Sequence, residues 1–220
     1  MATRLAVFDC DGTLVDSQAN IVRAMEDSFA RLGQAPPDPH SVRRIVGLSL
    51  REAMMALLPE ADDRLHGLLA EDYKHAFQRM RADQRLDPEP MYDGVLALLD
   101  ALDADGWLLA VATGKSDRGL RMVLEHHGIF GRFVSLQTAD RHPSKPHPAM
   151  LRAALDEAGV AAERAVIIGD TVFDMAMGVA ARVPAIGVDW GYHEASELID
   201  AGAVAVARDA THLKVLLDGG

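Results

Sequence analysis

A chain of 220 residues is long enough for one large α/β domain, or for a core domain with a small accessory one, and it can bury a core without covalent staples. Hydrophobic residues at 49% and charged residues at 25% describe an ordinary globular protein and exclude a disordered or fibrous one. The single cysteine, Cys10, excludes an internal disulfide and a thiolate zinc site, and a formal charge of −11 opposes a nucleic-acid backbone, so a phosphate site has to be a local positive pocket.

Met1 leads directly into the apolar run Leu5 to Phe8 without the basic region and apolar stretch of a signal peptide, and no segment approaches the roughly 18 apolar residues of a membrane span. A reducing, cytoplasmic compartment is therefore expected, with no nucleic-acid or membrane partner. A monomer or weak homodimer is expected.

In chain order, Arg4 to Asp9 reads as a buried strand, because a short apolar run ends in an acid and a glycine turn. From about Asp16 to Leu86 the pattern is helical: Ile21, Met25, Phe29 and Leu32 recur at helical spacing, and Ala53, Leu57, Leu65, Leu68 and Leu69 continue it. Proline-rich stretches at Gln34–His40 and Leu86–Pro90 interrupt this region, and the second suits a hinge. Strands and helices then alternate. Helix Gly94–Ala104 precedes strand Trp107–Ala112; helix Ser116–His127 precedes a weaker strand pattern, Phe133–Leu136; helix Ala149–Ala158 precedes strand Ala165–Ile168. Helix Asp174–Ala181, strand Ala185–Val188 and an edge strand at Ala203–Ala207 complete the series. Such alternation predicts an α/β fold with a parallel sheet, ligands bound beyond the carboxyl ends of its strands, and a helical cap inserted after the first strand. The expected domains are a core of residues 1–15 and 87–220 and a cap of residues 16–86.

The polar residues gather at those strand ends. Asp9 and Asp11, two apart, point the same way while Cys10 faces the other side, and two carboxylates so close favour a bound divalent cation, such as magnesium, or a shared proton. A solvated turn at Asp11-Gly12 explains the same residues. Asp170 follows another apolar strand, with Asp174 one helical turn later, although helix capping accounts for an Asp there. Thr113-Gly114-Lys115-Ser116 opens a helix whose free N–H groups favour an anion, or it is a plain cap. Lys145-Pro146-His147-Pro148 holds a cation in a constrained loop, which reads as a solvated lysine unless an anion sits nearby.

In order and placement these stretches resemble the four motifs of the haloacid dehalogenase-like (HAD) superfamily, over Ala2 to about Leu14 and about Pro90 to Val206. The helical insert is similar to the C1-type cap of subfamily I. Asp11-Gly-Thr-Leu-Val-Asp-Ser17 and Val46-Gly47-Leu48 look most like phosphoglycolate phosphatases. The resemblance implies a Rossmann-like core with Asp9 as nucleophile, forming an aspartyl-phosphate, and Asp11 as general acid and base. It implies Thr113 and the Gly114 N–H as phosphate ligands and Lys145 as the neutralising cation. Magnesium would be held by the Asp9 side chain, the Asp11 carbonyl and Asp170, with Asp174 in support.

Asp11 argues against haloacid dehalogenases, which lack it. No histidine occurs from Val15 to Leu32, where β-phosphoglucomutases carry one, and the one cap lysine, Lys74, lies later than a phosphonatase lysine would. His147 stands where relatives often carry Asp, Ala or Ser. Arg43 and Arg44, near Gly47, offer guanidinium groups to a substrate carboxylate, against the plainer reading of a solvated basic pair. Arg44 and Gly47 join Gly114 as candidate substrate-binding residues, and the ten methionines read as core fillers. The expected activity is magnesium-dependent hydrolysis of a small phosphomonoester, with 2-phosphoglycolate the leading candidate. Pyrophosphatase, nucleotidase, sugar-phosphate phosphatase and a non-catalytic phosphate binder are the alternatives.

Overall fold

Leu5, Ala6, Val7 and Phe8 are all buried in strand β1 (Arg4–Phe8), as a strand sandwiched between two helical layers requires. The computed structural model describes residues 3–219; Met1, Ala2 and Gly220, which the expected core includes, lie outside the described residues. Beside β1 run β2 (Trp107–Thr113), then β3 (Phe133–Thr138), on one side, and β4 (Ala165–Gly169), β5 (Ala185–Val188) and β6 (Ala205–Ala207) on the other. Every pairing is parallel and the order is β3-β2-β1-β4-β5-β6. The order reverses at β1, so the crevice for a ligand opens beyond its carboxyl end.

Alternation along β1 divides the core. Ala6 and Phe8 pack with α5 (Val95–Ala104), α6 (Asp117–His126) and α10 (Ala210–Asp218), whereas Leu5 and Val7 face α7 (Ala149–Ala158), α8 (Val172–Ala181) and α9 (Ala195–Asp200). Cys10 joins the first cluster, behind Phe8, as its parity with Ala6 and Phe8 dictates. The strands fall where periodicity predicts them, with β3 two residues longer and β6 shorter. Helices α9 and α10 have no counterpart in the sequence reading.

Between β1 and α5 lie α1 (Gln18–Arg31), α2 (Pro39–Arg44), α3 (Leu50–Leu57) and α4 (Asp63–Ala82). Their apolar stripes meet in a separate cluster around Ile21, Met25, Phe29, Met54 and Leu69, into which Tyr192 of the β5–α9 loop also packs. The two segments joining these helices to the sheet run side by side. Val15 bridges Met91 in antiparallel fashion, and Asp16 N–H donates to the Pro90 carbonyl at 2.9 Å. Buried Asn20 seals the return segment by accepting from Asp87 N–H and donating to Asp87 O, both at 2.9 Å. Among the described residues, no helix is long and apolar enough to cross a membrane.

Candidate active site

β1 ends at Phe8, and Asp9 follows with its N–H donated to Ile168 O of β4 at 2.9 Å. The chain then turns sharply through Gly12, whose φ of +82° favours glycine. A Cβ there would lie 2.1 Å from Asp170 Oδ2, so this turn can approach the β4 end only without a side chain. Asp170 sits just past β4 and is fully buried. Thr13 Oγ1 donates to its Oδ1 at 2.8 Å, and Tyr192 N–H donates to Oδ2 at 3.0 Å.

Asp174 occupies the third position of α8. Its Oδ2 accepts from Thr171 N–H and Thr171 Oγ1, the capping arrangement that alone would explain an aspartate here, but Oδ1 is taken by Lys145 Nζ at 2.7 Å. The same ammonium lies 2.9 Å from Asp9 Oδ2. Lys145 is buried, not solvated; burial opposes its charge, and Asp174 and Asp9 together outweigh that and raise its pKa above the ordinary lysine value.

Carboxylate oxygens of Asp9, Asp170 and Asp174 all fall within 4.8 Å of one another. Three carboxylates against one ammonium leave two negative charges in a buried space, which is costly unless compensated. Burial, with the Asp174 charge added to it, pushes the Asp9 carboxyl up to about 7 against the pull of Lys145. Asp170 is likewise driven upward, by burial first and then by Asp9 and Asp174. Asp9 Oδ2 has no neutral hydrogen-bond donor despite its burial; its one partner is the Lys145 ammonium at 2.9 Å, which it shares with Asp174. An all-oxygen cluster whose three carboxylates share one ammonium fits a hard divalent cation.

Asp11 stands apart from this trio. Its Oδ1 accepts from Ser17 Oγ and pairs with Lys115 Nζ at 2.7 Å; no described residue donates to Oδ2. Lys115 is held charged by Asp11 even though burial works the other way. Neither Ser17 nor Lys115 was assigned a role from sequence. For Lys115 the signal is its position next to Thr113-Gly114, two residues past the end of β2, the strand beside β1.

Asp9, Asp11, Thr113 and Gly114 line one cavity of about 320 Å³, roofed by the inserted helices. Gly47 and Leu48 supply part of the roof, and their carbonyls press so closely on Gly114 that a Cβ there would stand 2.8 and 2.6 Å away. Gly47 thus belongs to the site as backbone. Arg44 is not brought to the cavity: its guanidinium makes a two-pronged pair with Glu197 of α9 at 2.6 and 2.7 Å, tying the insert to the core. Arg43 also turns to the core, over the Tyr192 ring at 5.7 Å.

The sequence pattern of the haloacid dehalogenase-like hydrolase family matches residues 6–188. The chain is 35% identical over 221 aligned positions to a phosphoglycolate phosphatase of Rhodospirillum rubrum, covering 96% of this chain and 89% of that one. It is 34% identical to a protein of Dickeya dadantii named "Probable phosphatase IndB", over 88% and 84% of the two chains. The crystal structure of a predicted phosphatase from Clostridium acetobutylicum superposes with a TM-score of 0.88 at 26% identity, over 99% of both chains. With the motif residues gathered at the carboxyl edge of the sheet and the family pattern spanning most of its length, the chain belongs to the haloacid dehalogenase-like hydrolases.

Proposed function

We propose that the protein is a magnesium-dependent phosphatase that hydrolyses a small phosphomonoester through an aspartyl-phosphate on Asp9, with residues 16–86 acting as a cap over the core of 1–15 and 87–220. The observation that carries this reading is the meeting of Asp9, Asp11, Thr113 and Gly114 in one roofed cavity, with Lys145 and the acidic trio beneath. Asp9, Asp170 and Asp174 would hold the ion, with the Asp11 carbonyl as a further ligand. When bound, magnesium supplies positive charge that offsets the repulsion between a carboxylate and a phosphate dianion.

Asp9 attacks phosphorus. Lys145, fixed between Asp9 and Asp174, keeps the nucleophile oriented and lowers the charge it presents to an incoming anion. Thr113 Oγ1 and the Gly114 N–H hold non-bridging phosphate oxygens at the end of β2, where the helix α6 N-terminus favours negative charge. Asp11 gives its proton through Oδ2 to the leaving oxygen, then takes one from the water that attacks the aspartyl-phosphate. The roof of inserted helices excludes bulk water during these steps.

Release of phosphate from p-nitrophenyl phosphate tests this directly. Activity is expected with Mg²⁺, loss with EDTA and recovery on adding Mg²⁺ back; Ca²⁺, with its looser coordination, is expected to inhibit. Full rates in excess EDTA would remove the metal from the mechanism, and no release under any condition would favour a phosphate-binding protein without turnover. For the natural ester, 2-phosphoglycolate is the reference compound, supported by the Rhodospirillum rubrum relative's name.

Metal binding is expected to be linked to pH. The Asp9 carboxyl is raised from 3.8 to about 7, so between those values the metal-free folded state holds a proton that the unfolded chain has released, and stability falls as pH rises through that window. Because the ion binds the ionised carboxylate, it removes this loss. The Tm increment produced by excess Mg²⁺ over EDTA is therefore expected to be larger at pH 8 than at pH 5, by about 2–4 °C for each kcal/mol of linked energy. Equal increments at the two pH values would take Asp9 out of the ligand set.

A further inference from the structure

We infer that the cavity selects phosphate esters whose organic part is apolar and longer than two carbons, in preference to 2-phosphoglycolate; this rests on the phosphatase reading above and specifies its substrate class. Phosphate chemistry occupies the floor, at Asp9, Asp11, Thr113 and Gly114. Above it the walls are Ile21 and Met25 of α1, Ile45 of the loop after α2, Tyr73 and Phe77 of α4, and Met122 of α6. A leaving group bonded to a phosphoryl held at the floor has to extend among these side chains.

Volume and charge limit what that group can be. The volume, about 320 Å³, lies within the range of roughly 300–1,000 Å³ typical of pockets for drug-sized ligands and exceeds what a two-carbon ester fills. The cation nearest the floor, Lys115, pairs with Asp11 at 2.7 Å, so its single charge is already balanced and a substrate carboxylate there would add a second anion to one ammonium. The remaining cations that border the cavity, Lys74, Arg81 and Arg118, are exposed at its mouth, with Lys74 paired to Glu71 at 2.8 Å. Arg44, the candidate for a carboxylate from sequence, is held by Glu197 outside the cavity. A carboxylate two carbons from the phosphate ester oxygen would thus be desolvated against apolar side chains beside an ammonium whose charge Asp11 already balances, which is unfavourable. An alkyl or aryl group in the same place gains affinity from burial, and the mouth cations remain suited to steering the phosphate dianion into an acidic protein.

The test is kcat/KM with Mg²⁺ for ethyl, butyl and hexyl phosphate, whose leaving groups are of nearly equal basicity, beside 2-phosphoglycolate and p-nitrophenyl phosphate. Each buried methylene is expected to add up to about fourfold, so hexyl phosphate should exceed ethyl phosphate by at least about tenfold and should exceed 2-phosphoglycolate as well. Phe77→Ser is expected to shrink the hexyl-to-ethyl ratio. A flat alkyl series, or a preference for 2-phosphoglycolate, with p-nitrophenyl phosphate still hydrolysed, would overturn the inference and leave the phosphatase reading standing. Hydrolysis of none of the esters would overturn the phosphatase reading and the inference with it.

Discussion

Asp9→Asn is expected to lower kcat/KM for p-nitrophenyl phosphate by at least about 10⁴-fold while the protein remains folded. The carboxamide is a poor nucleophile and a poor ligand for a hard cation, so both the phosphorylation step and ion binding are lost together. Folding should survive because the substitution removes a charge from a place that resists charge. Asp9 is buried, it shares the single Lys145 ammonium with Asp174, and carboxylate oxygens of Asp170 and Asp174 lie within 4.8 Å of its own. Lys145 keeps Asp174 as its partner at 2.7 Å, and the amide oxygen can accept either from Cys10 N–H or from Lys145, which now meet Asp9 Oδ1 at 2.6 Å and Oδ2 at 2.9 Å, so one of the two contacts is given up against the relief of charge repulsion. In EDTA the Tm of the variant should therefore stay close to that of the wild type, whereas the stabilisation by Mg²⁺ should be largely abolished. Circular dichroism melts with and without Mg²⁺, beside steady-state kinetics, check both halves. Turnover near the wild-type level would show that another group attacks phosphorus.

The parts of this site that sequence made legible are those that depend on one strand and the turn after it. Asp9 and Asp170 are legible because each follows an uninterrupted apolar run, and the parity that sends Cys10 into the Phe8 layer follows from a period of two. What stayed hidden depends on which strands are neighbours. Lys115 reaches Asp11 because β2 lies beside β1, a pairing between residues 4–8 and 107–111 that local pattern does not encode. From sequence Arg44 reads as a possible carboxylate ligand, since its partner, Glu197, sits on a helix of six residues, too short to show a helical period, 153 positions away. The methionines divide in a way composition conceals: Met150, Met175 and Met177 fill the core, while Met25 and Met122 border the cavity. Whether Met25 faces only its helical neighbours or also a substrate is decided by the angle at which α1 roofs the sheet, and that angle is a property of packing between the two apolar clusters.

Asp11→Asn separates the second carboxylate from the first. If Asp11 delivers a proton to the leaving group, the variant should phosphorylate slowly with alkyl phosphates, whose alkoxides need protonation, and much less slowly with p-nitrophenyl phosphate, whose phenolate leaves readily without it; typical general-acid contributions are about 10²- to 10⁴-fold. The geometry favours this division of labour. Asp11 Oδ1 is pinned by Ser17 Oγ and by Lys115 Nζ at 2.7 Å, which leaves Oδ2 for the substrate, and Asp11 lies outside the trio that meets Lys145. Asparagine can retain the Oδ1 contacts, so loss of position is not the expected cause of the defect. Hydrolysis of the aspartyl-phosphate should also slow, because the same carboxylate activates the water, and an accumulating phosphoenzyme would then hide the leaving-group effect in steady-state kcat. The comparison therefore belongs in the pre-steady-state phosphorylation phase, measured by quenched flow with hexyl phosphate and p-nitrophenyl phosphate. Equal losses for the two esters in that phase would show that Asp11 is not the leaving-group acid, and would leave it to anchor Lys115 and Ser17 beside the phosphate.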